Sequence, residues 1–382
     1  MTALDFPFRN THDDTIEQEY EALHHRQGLT RIRLPLGGEG WLACRYQHVR
    51  QILGDKRFSR AEAEQGSLPR FSDACLPATT LMAMPEPRHT IVRRAIAPLF
   101  TTRSVQEQRQ GIRELAEHLI GAFVVDDLPG DLVPTIQQFT LGCVGLLLGQ
   151  DMRRSRQIEQ LARGVLDAGV SNEEVWIERG QHLEEAINNW LTSVKGSALD
   201  TLASDGVLTH EELIQFVRSM FLGGAAAPTS FLAGAVHTLI RIDTTAVDSA
   251  PVMPDQMPSL VNELLRFVPT GATGFTRRAT EDVLVGDTLV AAGEIVVPVG
   301  AAANRDPGAF ESPHTLDAAR SNKAHLAFGH GTHYCPGAYL SQVEAEEFLT
   351  ALTRLAPGLR ETAVEWAQGP LLRNITSIEV RL

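Results

Sequence analysis

Ten residues, Phe328-Gly329-His330-Gly331-Thr332-His333-Tyr334-Cys335-Pro336-Gly337, concentrate three glycines, two histidines and one cysteine. Glycine lets a backbone turn tightly and bring several amide N–H groups close to one atom. Here that atom is the Cys335 sulfur, set just before a helix start, where clustered amides favour the thiolate that ligates metal. Three other chemistries compete for the same residues. A structural buried cysteine would not require glycines on either side. Zinc held by His330, His333 and Cys335 has a spacing outside the usual ligand patterns. A dinucleotide loop at Gly329-x-Gly331 lacks its third glycine, because Tyr334 stands there, and no strand–turn–helix context precedes it.

The segment resembles the haem-ligand loop of the cytochrome P450 family, F-G-x-G-x-H-x-C-x-G. Every fixed position is present: Phe328, Gly329, Gly331, His333, Cys335 and Gly337. The resemblance extends over most of the chain. Glu263-Leu264-Leu265-Arg266 matches the family's E-x-x-R, and Arg320, within Phe310-x-x-Pro313-x-x-x-Asp317-x-x-Arg320, matches its third member. On a helix, positions i and i+3 share a face, so Glu263 and Arg266 can join Arg320 in a buried charged cluster. Taken alone, an E-x-x-R is a solvated surface pair; its place ahead of the cysteine loop favours the cluster. The stretch MPEPRHTIVRR resembles the family's propionate-binding helix, with His89 and Arg93 four apart on one face. Arg277, in Arg277-x-Ala279, matches the other propionate arginine, and His333 joins them. Cationic donors at a haem edge suit the two carboxylates found there. The resemblance therefore implies haem b with Cys335 as the axial iron ligand.

One region departs from the family. Its long helix across the haem carries A-G-x-[D/E]-T, whose acid and alcohol relay protons for oxygen activation. Here the run is Gly223-Gly224-Ala225-Ala226-Ala227-Pro228-Thr229-Ser230. Aligning the glycines puts Ala226 at the acid position and Ala227 at the alcohol position, and neither can relay a proton. Thr229, two residues on, is rotated by roughly 200° and faces away unless the helix is distorted. Pro228 invites distortion, since it cannot bond to the Gly224 carbonyl. Small residues here equally enlarge a pocket for a bulky substrate. Ala227-Pro228 also lacks the Arg-Pro pair of the family's fatty-acid peroxygenases. A second departure is Pro336, directly after the ligand, which removes one amide donor to the sulfur and should lower the reduction potential.

The resemblance implies an oxidoreductase of secondary metabolism using dioxygen and external electrons, since no flavin or nicotinamide motif is present. A ferredoxin and its reductase are the expected donors, with Arg88, Arg93, Arg94 and Arg103 offering a basic docking face. Without the acid–alcohol pair, two chemistries stand out. Either the substrate brings its own hydroxyl or amide to the relay, or the reaction ends in radical coupling of an aromatic substrate, such as a tryptophan-containing cyclic dipeptide. Hydroxylation of a polyketide, macrolide or terpene is the alternative, and a haem-based ligand-binding protein or a catalytically dead homologue the reading from another class. The substrate pocket expected by resemblance draws on Leu222, Gly223, Ala226, Ala227, Ala272, Thr273, Leu371 and Leu372, with the loop at about 61–84.

The elements that must hold these residues are mostly helical. Apolar spacing of three and four residues marks helices at 112–123 and 182–191, and Thr209-x-x-Glu212 is a capping box opening a long helix. That helix runs into Met220–Val236, which has no charge; it is too short to span a membrane and reads as a buried core helix. Breaks fall at Leu128–Asp131 and Ser171-Asn172. Trp41–Tyr46 reads as a strand, Gly286-Asp287 as a hairpin turn, and a last helix runs from about Gly337 to Leu355. The expected fold is mainly α with a small β part, one P450 domain over 1–382, with haem between the long central helix and the cysteine loop. Composition agrees: in 382 residues, 43% are hydrophobic and 21% charged, ordinary globular values. A net charge of −13 argues against nucleic acid as a partner. Four widely spaced cysteines and no leader-like N-terminus suggest a reducing, cytoplasmic setting without a membrane anchor.

Overall fold

The computed structural model describes residues 3–8, 18–64, 68–71, 77–149, 158, 161, 173–192, 196–243, 255–271, 274–321, 324–367 and 374–382. Helices stand where the apolar spacing placed them. The Thr102–Ala122 helix starts at Thr101, whose hydroxyl accepts from the Ser104 N–H at 3.2 Å, and buries Val105, Ile112, Ala116 and Ile120. It packs against the Val133–Leu148 and Ala338–Leu355 helices. The Val133–Leu148 helix is apolar nearly all round, as a fully enclosed helix must be, and stops at Gly149 with φ 70°.

The central helix opens with the expected capping box. Thr209 Oγ1 accepts from the Glu212 N–H at 3.2 Å, while Glu212 accepts from the Thr209 N–H at 2.8 Å. It runs through His210–Phe221, loosens into a π turn at Leu222–Ala226 and continues as Ala227–Asp243. Residues 210–242 are long and apolar enough to cross a membrane, but 67% of their most apolar window is buried inside the protein, as in a core helix. Phe231, Leu232, Ala233 and Val236 are part of the main apolar core.

The strands are β1 (Leu4–Asp5), β2 (Thr30–Leu34), β3 (Gly38–Ala43), β4 (Phe58–Ser59), β5 (Gly130–Asp131), β6 (Arg277–Ala279), β7 (Val283–Val285), β8 (Thr288–Val290), β9 (Ile295–Pro298), β10 (Arg360–Trp366) and β11 (Ile375–Arg381). The six-stranded sheet has the order β1-β2-β3-β9-β6-β4. It is buried on both faces near β9: Ile295 and Val297 enter one apolar cluster with Ile32 and Leu42, while Val296 enters another with Val49 and Ile52. That alternation is the period of two that a strand imposes. The β7–β8 hairpin turns at Gly286-Asp287, with Gly286 at φ 60°, as the sequence suggested.

Two expectations shift. The strand read at Trp41–Tyr46 ends at Ala43, and Tyr46 instead begins the Tyr46–Gly54 helix. The reason is remote in sequence: Asp306 accepts the Tyr46 N–H at 2.8 Å, satisfying a helix-end donor that Arg45 leaves uncapped. The break at Leu128–Asp131 contains β5, which pairs with β11. The break at Ser171-Asn172 lies outside the described residues.

Candidate functional site

The cysteine loop is a finger bent at two left-handed glycines, Gly329 (φ 74°) and Gly331 (φ 71°). A Cβ on Gly331 would lie 2.5 Å from the Leu53 carbonyl oxygen and 2.9 Å from Gly54 Cα, so the finger sits directly on the Tyr46–Gly54 helix. The Cys335 N–H closes it by donating to Phe328 O at 3.0 Å. The Gly337 N–H faces the sulfur, and the Ala338–Leu355 helix begins one residue later. Burial pushes the Cys335 thiol up, opposed by the Gly337 amide and by the Arg93 guanidinium. Pro336 adds no donor, as its lack of an N–H requires. Among the described residues no cluster of His, Cys, Asp and Glu could hold a bare metal ion, which leaves the zinc alternative without support.

Beside the finger lies a cluster of bases. His89 and Arg93 project from the Arg88–Ile96 helix, Arg277 opens β6, and His333 ends a 3-10 turn. The His89 and His333 rings are 4.6 Å apart, and Arg93 donates to the Tyr334 carbonyl. Burial drives His333 down to about 3, with Arg277, His89, Arg60 and Arg93 adding like charge. Arg277 is 4% exposed and lowered to about 9 by burial and by Arg60. Both ring nitrogens of His89 are buried without a hydrogen-bond partner, although Glu86 lies 3.4 Å from Nδ1. Buried bases that repel one another are costly unless anions enter among them. Two carboxylates on the edge of a flat ring answer that need, so the residues fit haem b. Sequence reasoning missed Arg60, because an arginine following a short strand has no signature of its own.

The Glu263–Arg266–Arg320 cluster forms in full, and it is interior rather than a solvated surface pair. Arg266 donates to both Glu263 oxygens, at 2.6 and 2.9 Å, and Arg320 Nε donates to Oε1 at 3.1 Å. Arg266 also donates to the carbonyls of Asn304, Pro313 and Thr315 at 2.8–3.0 Å. Burial works against the Glu263 charge, yet the donors Arg266, the Asp317 N–H and Arg320 hold its carboxyl below the usual range. This cluster ties the chain ahead of the cysteine loop to the Met257–Phe267 helix. A different acid sits on the helix after the loop. Glu344 is buried with no hydrogen-bond partner for either oxygen, and burial pushes it up to about 8 despite Cys143 alongside.

On the opposite side stands the π turn. Leu222, Ala226 and Ala227 are half-buried, and a Cβ on Gly223 would meet nothing within 4 Å, so this stretch opens onto free space. The expected distortion is present: the π turn ends at Ala226, next to Ala227-Pro228. It does not turn Thr229 toward the opening. Thr229 is buried, and its hydroxyl shares a 2.7 Å hydrogen bond with Thr140 of the Val133–Leu148 helix. Ser230 Oγ lies 3.0 Å from the Ala226 carbonyl and 3.0 Å from the Asn374 amide. The Asn374 atom facing it is Oδ1, so the one Ser230 hydroxyl proton has two alternative acceptors. Neither Thr140 nor Asn374 was legible, since their partners lie far away in the chain. Ala272, Thr273, Leu371 and Leu372 lie outside the described residues.

Three of the four arginines read as a docking face have partners within the chain. Arg88 is paired with Glu212 and donates to Val207 O at 2.7 Å, and Arg93 is turned under the cysteine loop. Arg103 pairs with Glu107 at 2.9 Å.

Comparison with known proteins decides the family. The family described as Cytochrome P450 matches residues 253–354, from the E-x-x-R helix through the cysteine loop. Nocardicin C N-oxygenase of Nocardia uniformis subsp. tsuyamanensis is 34% identical over 400 residues, covering 100% of both chains. The chain belongs to the cytochrome P450 family. Among solved structures, HinD with NMFT and NO superposes with a TM-score of 0.92 at 32% identity, over 100% of both chains. Cytochrome P450mel 107F1, described as having biaryl coupling reactivity, superposes with a TM-score of 0.91 at 26% identity, again over 100% of both. This P450 is accordingly an oxidoreductase that binds haem b, and its curated relatives are bacterial hydroxylases and oxygenases of secondary metabolism. Like them it acts on a small molecule with electrons from a redox partner.

Proposed function

We propose that this P450 couples two positions of a small aromatic secondary metabolite, of the kind of a tryptophan-containing cyclic dipeptide, and leaves oxygen out of the product. The observation that carries the reading is the π turn. Ala226 and Ala227 offer no proton donor there, and Thr229 is committed to Thr140. When bound, the haem supplies one-electron oxidising power from dioxygen. Coupling removes two hydrogens from the substrate; these, with two electrons from the redox partner and two protons from solvent, reduce one dioxygen to two waters. A substrate N–H or O–H then brings to the site the proton that the helix lacks. Small side chains at Gly223, Ala226 and Ala227 leave room for a flat aromatic body. We assign Cys335 as the iron ligand, His89, Arg93, Arg277 and His333 as the propionate donors, and a ferredoxin with its reductase as the electron source. Support from outside the chain is the coupling reactivity named for P450mel 107F1.

A second reading is oxygen insertion, which the name of nocardicin C N-oxygenase favours. Turnover under labelled dioxygen separates the two. The ferric protein is first screened for a Soret shift with tryptophan-containing cyclic dipeptides, aromatic polyketides and macrolides, and the responding compound is then turned over with ferredoxin and reductase. A product two hydrogens lighter and free of label is expected. A product carrying one labelled oxygen overturns coupling in favour of oxygenation.

A further inference from the structure

Arg60 directly follows β4, and the β4–β6 register pairs Phe58 with Ala279 and Ser59 with Arg278. One more step along that register sets Arg60 opposite Arg277. Residues opposite one another on antiparallel strands carry their side chains on one face, with Cβ atoms about 5 Å apart. Like charges so placed destabilise a sheet, and here both are also buried, at 5% and 4% exposure. The Arg60 hydrogen bonds to Thr276 are long, 3.4 Å to Oγ1 and 3.5 Å to the carbonyl, and its guanidinium lies 5.4 Å over the Phe275 ring. Its charge acts on both Arg277 and His333, which places it among the base cluster rather than beside it.

We propose that Arg60 is a further haem-propionate binding residue, sharing one carboxylate with Arg277. The inference rests on the reading of the base cluster given above. A carboxylate has two oxygens and about four lone-pair sites, so it can accept from two guanidinium groups at once. An anion between the two arginines turns a repulsive cross-strand pair into two charge-assisted ones. It also gives the two-residue strand β4 a task, since pairing to β6 is what aims Arg60 at that position.

The test uses the haem-loaded protein and three variants, Arg60→Gln, Arg60→Lys and Arg277→Gln. Haem transfer to excess apomyoglobin and the ferric/ferrous midpoint potential are measured. Arg60→Gln is expected to release haem roughly tenfold faster, the loss of one charge-assisted hydrogen bond. It should also lower the potential, because a positive charge has left the haem edge. Arg60→Lys should restore the potential while still releasing haem faster than the parent, which a purely structural role would not produce. Unchanged transfer and potential in Arg60→Gln, with both altered in Arg277→Gln, overturns the inference. No change in either variant overturns the cluster reading itself. Weaker binding of a carboxylated ligand with haem transfer unchanged would move Arg60 to the substrate, and equally overturns it.

Discussion

The two sides of the haem site are built on opposite principles. On the cysteine side, the E-x-x-R charges are densely engaged: Arg266 alone bonds one carboxylate twice and three carbonyls, and the finger is closed by a backbone bond and braced by a helix. On the other side, the helix gives up a regular turn, carries glycine and alanine, and sends its hydroxyls away from the opening. The difference separates two tasks. Holding an iron ligand needs many mutually supporting polar contacts, whereas accepting a substrate needs space and few obligations.

Substitutions on each side test this division. The largest effect is expected from Cys335→Ala, which removes the proposed thiolate ligand; turnover should vanish, and retained turnover would break the comparison outright. Next is Glu263→Gln, which leaves Arg266 and Arg320 buried without the one carboxylate they share. A loss of about 3–5 kcal/mol in thermal or denaturant unfolding is expected.

Glu344 gives a pH-dependent effect on the same side. Its folded carboxyl titrates near 8, above its ordinary value, so the native state holds a proton that the unfolded state has released. That contribution is complete at low pH and is lost as pH rises toward and through 8. Glu344→Gln should therefore match the parent near pH 5 and unfold at a higher temperature than the parent at pH 8; equal melting temperatures at pH 8 would refute it.

On the open side, Thr140→Val strands the buried Thr229 hydroxyl and should cost about 1–3 kcal/mol, whereas the double change to valine at both positions should recover most of it. Failure of the double variant to recover would mean that the pair does more than satisfy itself. The smallest expected change is Pro336→Ala, which offers one more amide to the sulfur and should raise the reduction potential slightly. An unchanged potential would show that the Gly337 N–H alone sets the donor count.

Legibility followed the same divide. The cysteine finger and the E-x-x-R helix could be read because local chemistry demands particular residues at fixed spacing: glycines where φ is positive, a Glu and Arg one helical turn apart. Arg320, His89 and Arg277 could be placed only through resemblance; Arg320 meets Glu263, while His89 and Arg277 lie by His333. The partners of the open side could not be read. Thr229 meets Thr140 across 89 residues and Ser230 meets Asn374 across 144, and neither end carries a local signal. Arg60 became visible only once β4 was seen to pair with β6. The start of the Tyr46–Gly54 helix was missed for the same reason, since its first N–H is satisfied by Asp306.

That helix has a further meaning when the chain is considered in the order of its synthesis. The Leu53–Gly54 seat for Gly331 is made early, and the residue it receives is made late; Tyr46 and Ala324, bonded at 2.6 Å near the same junction, are 278 residues apart. Closing so long a loop is slow relative to forming the local helices between. The local helices in between can therefore form before that seat receives its residue. The finger that carries Cys335 thus gains its seat only once the chain's early and late ends have joined.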